Sequence, residues 1–179
     1  MASPDATLLV DGYNVIGIWK PLALRRDRQH LEAARDALIG ELASYSAFQG
    51  YQTRIIFDAH LRRESSGNAE VITETLEAYY TEYGETADSH IELFCAQARS
   101  QSHISRVIVA TSDRAQQLTV TGYGAEWMSA HQLIQEIKAA TLQMHQAQRA
   151  KQKRNARFLS HSLDPAAKVQ LEKWRYGID

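Results

Sequence analysis

The sequence predicts an α/β protein built on a parallel sheet with helices on both faces. Predicted strands and helices alternate along the chain, which is the order typical of parallel sheets. The strands are short, unbroken apolar runs such as 7–10 and 106–110, as expected of strands that are buried on both faces. The carboxyl ends of such strands meet at one edge of the sheet, where open α/β proteins place their functional groups.

In the first third of the chain we predict two strands and one helix. The first strand, 7–10, ends at Asp11-Gly12 and runs into a loop. Apolar residues at steps of three and four predict a helix from an Asp27 N-cap to about residue 48. Gly50 ends this helix, and a second strand follows at 53–57.

The middle of the chain is ambiguous before it becomes regular again. Residues 71–72 fit a strand, but 70–77 also fit a helix, and 78–81 fit a third strand. Thr86 is placed to cap a helix that turns its apolar residues inward. The strand 106–110 has an unbroken Val-Ile-Val core.

The remaining elements are a helix to about residue 121, a fifth strand at 125–128 and a long helix capped by Ser129. Asp164-Pro165 predicts the start of a short final helix. We expect a main α/β domain at 1–138 and a basic helical C-terminal extension at 139–179.

Composition and charge limit the possible functions. The 179 residues suit one domain plus an appendage, and the lone Cys95 excludes an intramolecular disulfide and a cysteine zinc cage. No stretch approaches the ~20 apolar residues of a membrane span, and no leader peptide is evident, so we expect a cytoplasmic protein without a membrane partner. Residues 1–137 carry 11 Lys and Arg against 18 Asp and Glu, whereas 138–179 carry 9 against 3. An acidic body with a basic tail is compatible with nucleic-acid binding.

Acidic residues follow the predicted strands. Asp11, Asp58 and Asp113 lie at or just past the ends of three strands, and Asp88 and Glu92 share one face of a helix. Each aspartate alone is also a common helix cap or turn residue. Together they are a cluster of like charges that needs a cation, and Mg²⁺ or Mn²⁺ suits oxygen ligands.

Other α/β sites are excluded by residue type. The first loop, DGYNVIG, is not a phosphate-binding glycine loop, and position 13, where an aspartate phosphatase needs its second aspartate, is a tyrosine. No Gly-x-Ser-x-Gly elbow is present. An acidic metal site without a fixed nucleophile suits attack of water on a phosphodiester.

At this point the chain resembles a known family. The segments LLVDGYNVIGIW, IIFDAH, ETADSHIE, VIVATSDRAQQ and GAEWMS are similar, in order and spacing, to those of YacP-like NYN domains, which belong to the PIN-like nucleases. The resemblance implies a Rossmann-like PIN fold with strand order 3-2-1-4-5 and a metal-dependent endoribonuclease. Some members of this family associate with ribosomes and cut mRNA. The resemblance therefore implies RNA, in particular mRNA, and the ribosome as partners.

The resemblance also assigns roles to residues. It implies that Asp11, Asp88 and Asp113 form the acidic site, with Asp58 and Glu92 as further metal ligands. Asn14 matches the family's asparagine and is expected to hold Asp11 or a phosphate, and Ser112 is expected to contact a water on the metal.

Basic residues near the predicted site, or in the tail, are candidates for RNA contacts, although solvated surface charge is the alternative for each. The candidates are Arg25, Arg26, Arg28, Arg62, Arg63, Arg114, Arg149, Lys151, Lys153, Arg154 and Arg157. Two other functions stay open: a structure-specific DNA or 5′-nuclease, and a catalytically silent RNA-binding module of the same fold. The oligomeric state is not predicted.

Overall fold

A computed structural model describes residues 6–58, 69–100 and 106–162, and the side chains of the last segment as far as residue 154. The strands are β1 (Ala6–Asp11), β2 (Tyr51–Phe57), β3 (Ala69–Thr73), β4 (Leu76–Tyr80), β5 (Val107–Ala110) and β6 (Glu126–Met128). The helices are α1 (Gly12–Ile18), α2 (Lys20–Arg28), α3 (Leu31–Gln49), α4 (Ala87–Ala98), α5 (Arg114–Gly122) and α6 (Ala130–Ser162).

The strands form one sheet in the order β3-β4-β2-β1-β5-β6. All neighbours are parallel except β3 and β4, which form an antiparallel hairpin. The predicted order 3-2-1-4-5 is confirmed for the five parallel strands. The count of five is wrong because β3 adds a sixth strand at the edge, where its mostly exposed residues give no core signal.

Two predictions in the first third are wrong: the start of the helix and the loop after Asp11. Asp27 lies inside α2 and caps nothing, whereas α3 begins after His30. The segment after Asp11 is the short helix α1, not a loop. Its glycine and asparagine are poor helix formers, but a cap from Asp11 and burial of Val15 and Ile16 stabilise it.

Apolar side chains from both faces of the sheet form the core. On one face Leu9, Ile56 and Val109 pack against Ile91 and Cys95 of α4. Successive strand residues point to opposite faces, so Leu8 and Val10 pack on the other side, where they are fully buried. On that side the hydroxyl of Tyr45 in α3 donates a 2.6 Å hydrogen bond to Glu136 in α6.

The chain forms two compact units, 1–140 and 141–179. The second unit is described only as the carboxyl-terminal part of α6, and the helix predicted at Asp164-Pro165 lies outside the described residues. The predicted boundary after residue 138 stays a prediction. Within the described ranges, every helix is too short or too polar to cross a bilayer.

Candidate active site

Asp11 is the last residue of β1 and the N-cap of α1. Its Oδ1 accepts a 3.1 Å hydrogen bond from the backbone N–H of Asn14. The next residue, Gly12, is buried beneath the Phe57 ring, and a Cβ added there would overlap that ring. The turn that presents the Asp11 carboxylate at the sheet edge therefore requires glycine at position 12.

Asp113 caps α5 in the same manner after β5. Its Oδ1 accepts hydrogen bonds from the backbone N–H groups of Ala115 at 2.7 Å and Gln116 at 3.1 Å. Its own N–H donates to the Thr111 hydroxyl at 3.0 Å, which fixes the turn. Both strand-end aspartates thus cap a helix and also lie at the carboxyl edge of the sheet.

Asn14 and Ser112 join the loops that carry these two aspartates. The Oδ1 of Asn14 accepts a 3.0 Å hydrogen bond from the backbone N–H of Ser112. The Ser112 hydroxyl accepts a 3.3 Å hydrogen bond from the N–H of Ala130, at the start of α6. Asn14 therefore donates its backbone N–H to Asp11, while its side chain accepts a hydrogen bond from Ser112, the residue before Asp113.

Asp88 reaches this edge from the first turn of α4. Its Oδ1 accepts a 2.7 Å hydrogen bond from the side-chain amide of Gln116, which is only 2% exposed. The amide oxygen of Gln116 is buried and has no hydrogen-bond partner in the described part of the chain. Glu92 lies one turn further along α4, and Asp58 follows β2; both are half-buried.

The charges of these acids affect one another's pKa values. Burial, and the charges of Asp88 and Asp113, raise the pKa of Asp11 to about 6 despite its backbone hydrogen bonds. Partial burial raises the pKa of Asp88, and the charges of Asp113, Glu92 and Asp58 add to that effect. The structure therefore brings the five predicted carboxylates into one electrostatic cluster.

No positive side chain in the described ranges forms an ion pair with Asp11, Asp88 or Asp113. Equally, no three Asp, Glu, His or Cys side chains in those ranges are arranged as a group that could hold a metal ion unaided. The donor chemistry fits Mg²⁺ or Mn²⁺ nevertheless, because such cations are held by one or two carboxylates and keep several waters. The unpartnered oxygen of Gln116 is one more hard donor beside Asp88.

The predicted basic residues that the structure describes form no ion pair with Asp11, Asp88 or Asp113. Arg25, Arg26 and Arg28 are exposed in the last turn of α2, and Arg26 pairs with Asp27 at 2.8 Å. Arg114 is exposed beside Asp113. In the second unit Arg149, Lys151, Lys153 and Arg154 are exposed. Arg62 and Arg63 lie outside the described residues, and the side chain of Arg157 is not described.

Sequence reasoning missed two residues at the carboxyl edge of the sheet. Gln116 stands three positions after Asp113, a spacing typical of a helix capping box, and this signal was available. Its side chain binds Asp88 instead of closing the cap. Tyr83 follows β4 at the same edge and is 97% exposed, but a single tyrosine in a polar turn carries no sequence signal.

A parallel sheet with acids gathered at its carboxyl edge is a nuclease-type α/β domain, and the comparisons with known proteins agree. The YacP-like NYN domain matches residues 8–176. The chain is 34% identical to YacP of Bacillus subtilis (strain 168) over 95% of its own length and 96% of that protein. The crystal structure of Rae1 (YacP) from Bacillus subtilis matches with a TM-score of 0.66 at 32% identity, covering 96% of this chain and 95% of the other. A crystal structure of a mutant of the same protein gives a TM-score of 0.63 at 31% identity over 89% and 85%. The chain belongs to the YacP-like NYN domain family, which indicates activity of the nuclease or hydrolase class.

Proposed function

We propose that this protein is a cytoplasmic endoribonuclease that uses Mg²⁺ or Mn²⁺ to hydrolyse RNA phosphodiester bonds. The observation that carries the proposal is the cluster of Asp11, Asp88 and Asp113, whose charges repel one another and have no Lys or Arg ion-pair partner among the described residues. Repelling carboxylates at a functional edge need a cation, and a hard divalent cation suits them.

The carboxylates are held in place by different parts of the chain. Backbone N–H groups fix Asp11 and Asp113 through one oxygen each, and the Gln116 amide fixes Asp88. We propose that one or two of these three carboxylates would hold the cation directly and the others through its waters, with Asp58 and Glu92 contributing further negative charge. When bound, the cation supplies Lewis acidity to the phosphate and to the attacking water.

RNA has to approach this acidic edge, and the exposed arginines supply phosphate contacts. Arg114 is exposed and follows Asp113 in the chain, and we propose that it contacts a phosphate of the substrate. We propose the exposed arginines of α2 as further phosphate contacts, and the exposed cations of the second unit as an RNA contact of their own. We propose mRNA as the substrate, with the ribosome as a partner, on the basis of family membership.

The test is cleavage of a fluorescent single-stranded RNA in Mn²⁺, with and without EDTA, by wild type, Asp11→Asn and Glu74→Gln. Glu74 is an exposed acid in the β3–β4 turn, on the opposite edge of the sheet, so it controls for loss of one charge. We expect cleavage by wild type and Glu74→Gln, and none with Asp11→Asn or EDTA. Cleavage that resists EDTA or survives Asp11→Asn would overturn the proposal.

The same assay separates the two alternatives. Cutting of branched DNA but not of single-stranded RNA would identify a structure-specific DNA nuclease. Tight RNA binding without cleavage at any Mn²⁺ concentration would identify a catalytically silent binding module.

A further inference from the structure

Arg35 is a buried cation in the described part of the chain. It lies on α3 and is only 7% exposed. Its Nη1 donates a 3.3 Å hydrogen bond to the Tyr13 hydroxyl, and its guanidinium lies over the Tyr80 ring, 5.8 Å from the ring centre. These contacts fix the plane of the guanidinium but use only one of its five N–H donors for a hydrogen bond.

No carboxylate of the described residues forms an ion pair with Arg35. Arginine is almost never buried without a partner, because removing its charge from water is costly. Since no acceptor among the described residues takes the remaining donors of Arg35, these donors suit the acceptors of a bound ligand.

Arg35 lines a cavity of about 350 Å³ between α3 and the β3–β4 hairpin. Tyr80 and Ile72 supply apolar wall, and the acids Glu32, Asp36 and Glu70 also line the cavity. This volume is at the lower end of that of small-ligand sites, large enough for one nucleobase. The lining therefore combines the N–H donors of one guanidinium, several carboxylate acceptors and an aromatic surface.

The cavity is connected to the acidic site by a row of rings. Tyr13, which bonds Arg35, stands two residues after Asp11 and packs on Phe57 with ring centres 5.3 Å apart. Phe57 stacks in turn on Tyr80 at 5.5 Å, and it immediately precedes Asp58. A nucleotide in the cavity would thus contact side chains that pack against the residues next to Asp11 and Asp58.

We propose that this cavity binds a guanine base of the RNA substrate, with Arg35 donating to guanine O6 and N7 and the cavity carboxylates accepting from guanine N1–H and N2–H₂. The inference rests on the proposed function, since it names a specificity-determining site for that cleavage. Guanine is the base that offers two adjacent acceptors to an Arg fork and two adjacent donors to carboxylates. A phosphate fits poorly, because three acids line the cavity with one arginine.

Two measurements test the proposal. The first is ligand-observed NMR of metal-free protein with GMP, AMP, CMP and UMP, which share the phosphate and differ in the base. The second is sequencing of the ends produced from a randomised RNA in Mn²⁺. We expect GMP to bind several-fold more strongly than the other nucleotides, and guanine to be enriched about tenfold at one fixed position from the cut.

The key variants are Arg35→Lys, Gly40→Met and Gly122→Met. Arg35→Lys keeps the charge and removes the planar fork. Gly40 lines the cavity in the middle of α3, and a Cβ there meets nothing within 4 Å, so Gly40→Met fills the cavity without disturbing the fold. Gly122 is an equally unobstructed glycine on α5, so Gly122→Met is its matched control. We expect the first two variants to lose GMP binding and the guanine enrichment, and Gly122→Met to keep both.

The outcomes separate this inference from the proposed function. Mn²⁺-dependent cleavage without base preference, together with equal binding of all four nucleotides, would overturn the guanine site and leave the nuclease intact. Guanine enrichment that persists in Gly40→Met would also overturn it. Selective GMP binding that Gly40→Met abolishes, with no RNA cut, would support the site while the nuclease proposal fails.

Discussion

The Asp11 carboxyl is held at a cost in stability. Its pKa rises from 3.8 unfolded to about 6 folded, so the folded protein prefers the protonated acid. The metal-free protein therefore loses stability as pH rises from about 4 to 6, and the loss is complete above that range. By linkage the cost is on the order of 1–3 kcal/mol at neutral pH.

We predict that Asp11→Asn stabilises the metal-free protein at pH 7.5 by about this amount, because asparagine still caps α1 without the charge. Thermal unfolding in EDTA checks this, and the advantage should vanish at pH 4, where wild-type Asp11 is largely protonated. Mn²⁺ should raise the melting temperature of wild type but not of the variant. An Asp11→Asn protein that is less stable at pH 7.5 would contradict the prediction.

Gln116 orients Asp88 through its side-chain amide, and we assign it as a positioning residue. Gln116→Met keeps a similar volume and removes the hydrogen bond. Loss of a partner that orients a metal ligand typically weakens metal affinity or activity about 10–100-fold. Calorimetric titration with Mn²⁺ should show a drop in affinity of that size. Gln117→Met, at the adjacent position on α5, should leave the affinity unchanged, and unchanged affinity in Gln116→Met would refute the role.

At this scale the sequence predicted the acids but not the groups that hold them. Asp11, Asp58 and Asp113 follow apolar strands, and a parallel sheet has to bring such residues to one edge. Gln116 and Arg35 act across elements that are distant in the chain. Their partners depend on how helices pack, which residue patterns do not encode.

Among the elements, the turn from β1 into α1 depends on Gly12. A methyl group there would press into Phe57, beneath the aromatic row that borders the cavity. We predict that Gly12→Ala destabilises the protein by about 1–3 kcal/mol, as overpacking does. Gly17→Ala is the matched control, because that glycine of α1 is exposed and a Cβ on it meets nothing within 4 Å. Denaturant unfolding should show Gly17→Ala equal to wild type or slightly more stable; a loss in Gly12→Ala no larger than that in Gly17→Ala would contradict the packing role of Gly12.

The elements that sequence predicted well are those whose signal is burial. The apolar runs 8–10 of β1, 55–57 of β2 and 107–110 of β5 are stable only in the interior of a sheet. The strand β3 lies at the edge and is mostly exposed, so its residues fit a helix equally well until β4 pairs with it. The short α1 likewise depends on its cap and on tertiary packing more than on intrinsic propensity.

For the molecule as a whole, charge is divided between an acidic body and a basic carboxyl-terminal region. Each phosphate contact with single-stranded RNA contributes about 0.7 to the slope of log affinity against log salt. We therefore predict that neutralising the four exposed cations of the second unit lowers the magnitude of that slope by about 3. The substituted residues are Arg149, Lys151, Lys153 and Arg154, each changed to Gln.

Fluorescence anisotropy in EDTA, where the proposed cleavage is silent, measures this slope. The control changes four exposed glutamines of the same helix to Ala: Gln143, Gln146, Gln148 and Gln152. That variant should keep the wild-type slope. An unchanged slope in the charge-neutralised protein would assign these cations to solvent instead of RNA.

Asp11 and Asp113 each cap a helix and also belong to the proposed catalytic site. This affects how catalytically inactive relatives of the protein would be recognised. Both positions begin helices, so folding alone retains a capping residue, aspartate or asparagine, at each of them after any catalytic selection has lapsed. Asp88 caps nothing, since Thr86 begins its helix, and its retention reports on chemistry more directly. A relative that keeps Asp11 and Asp113 but lacks Asp88 is therefore the one expected to have lost catalytic activity.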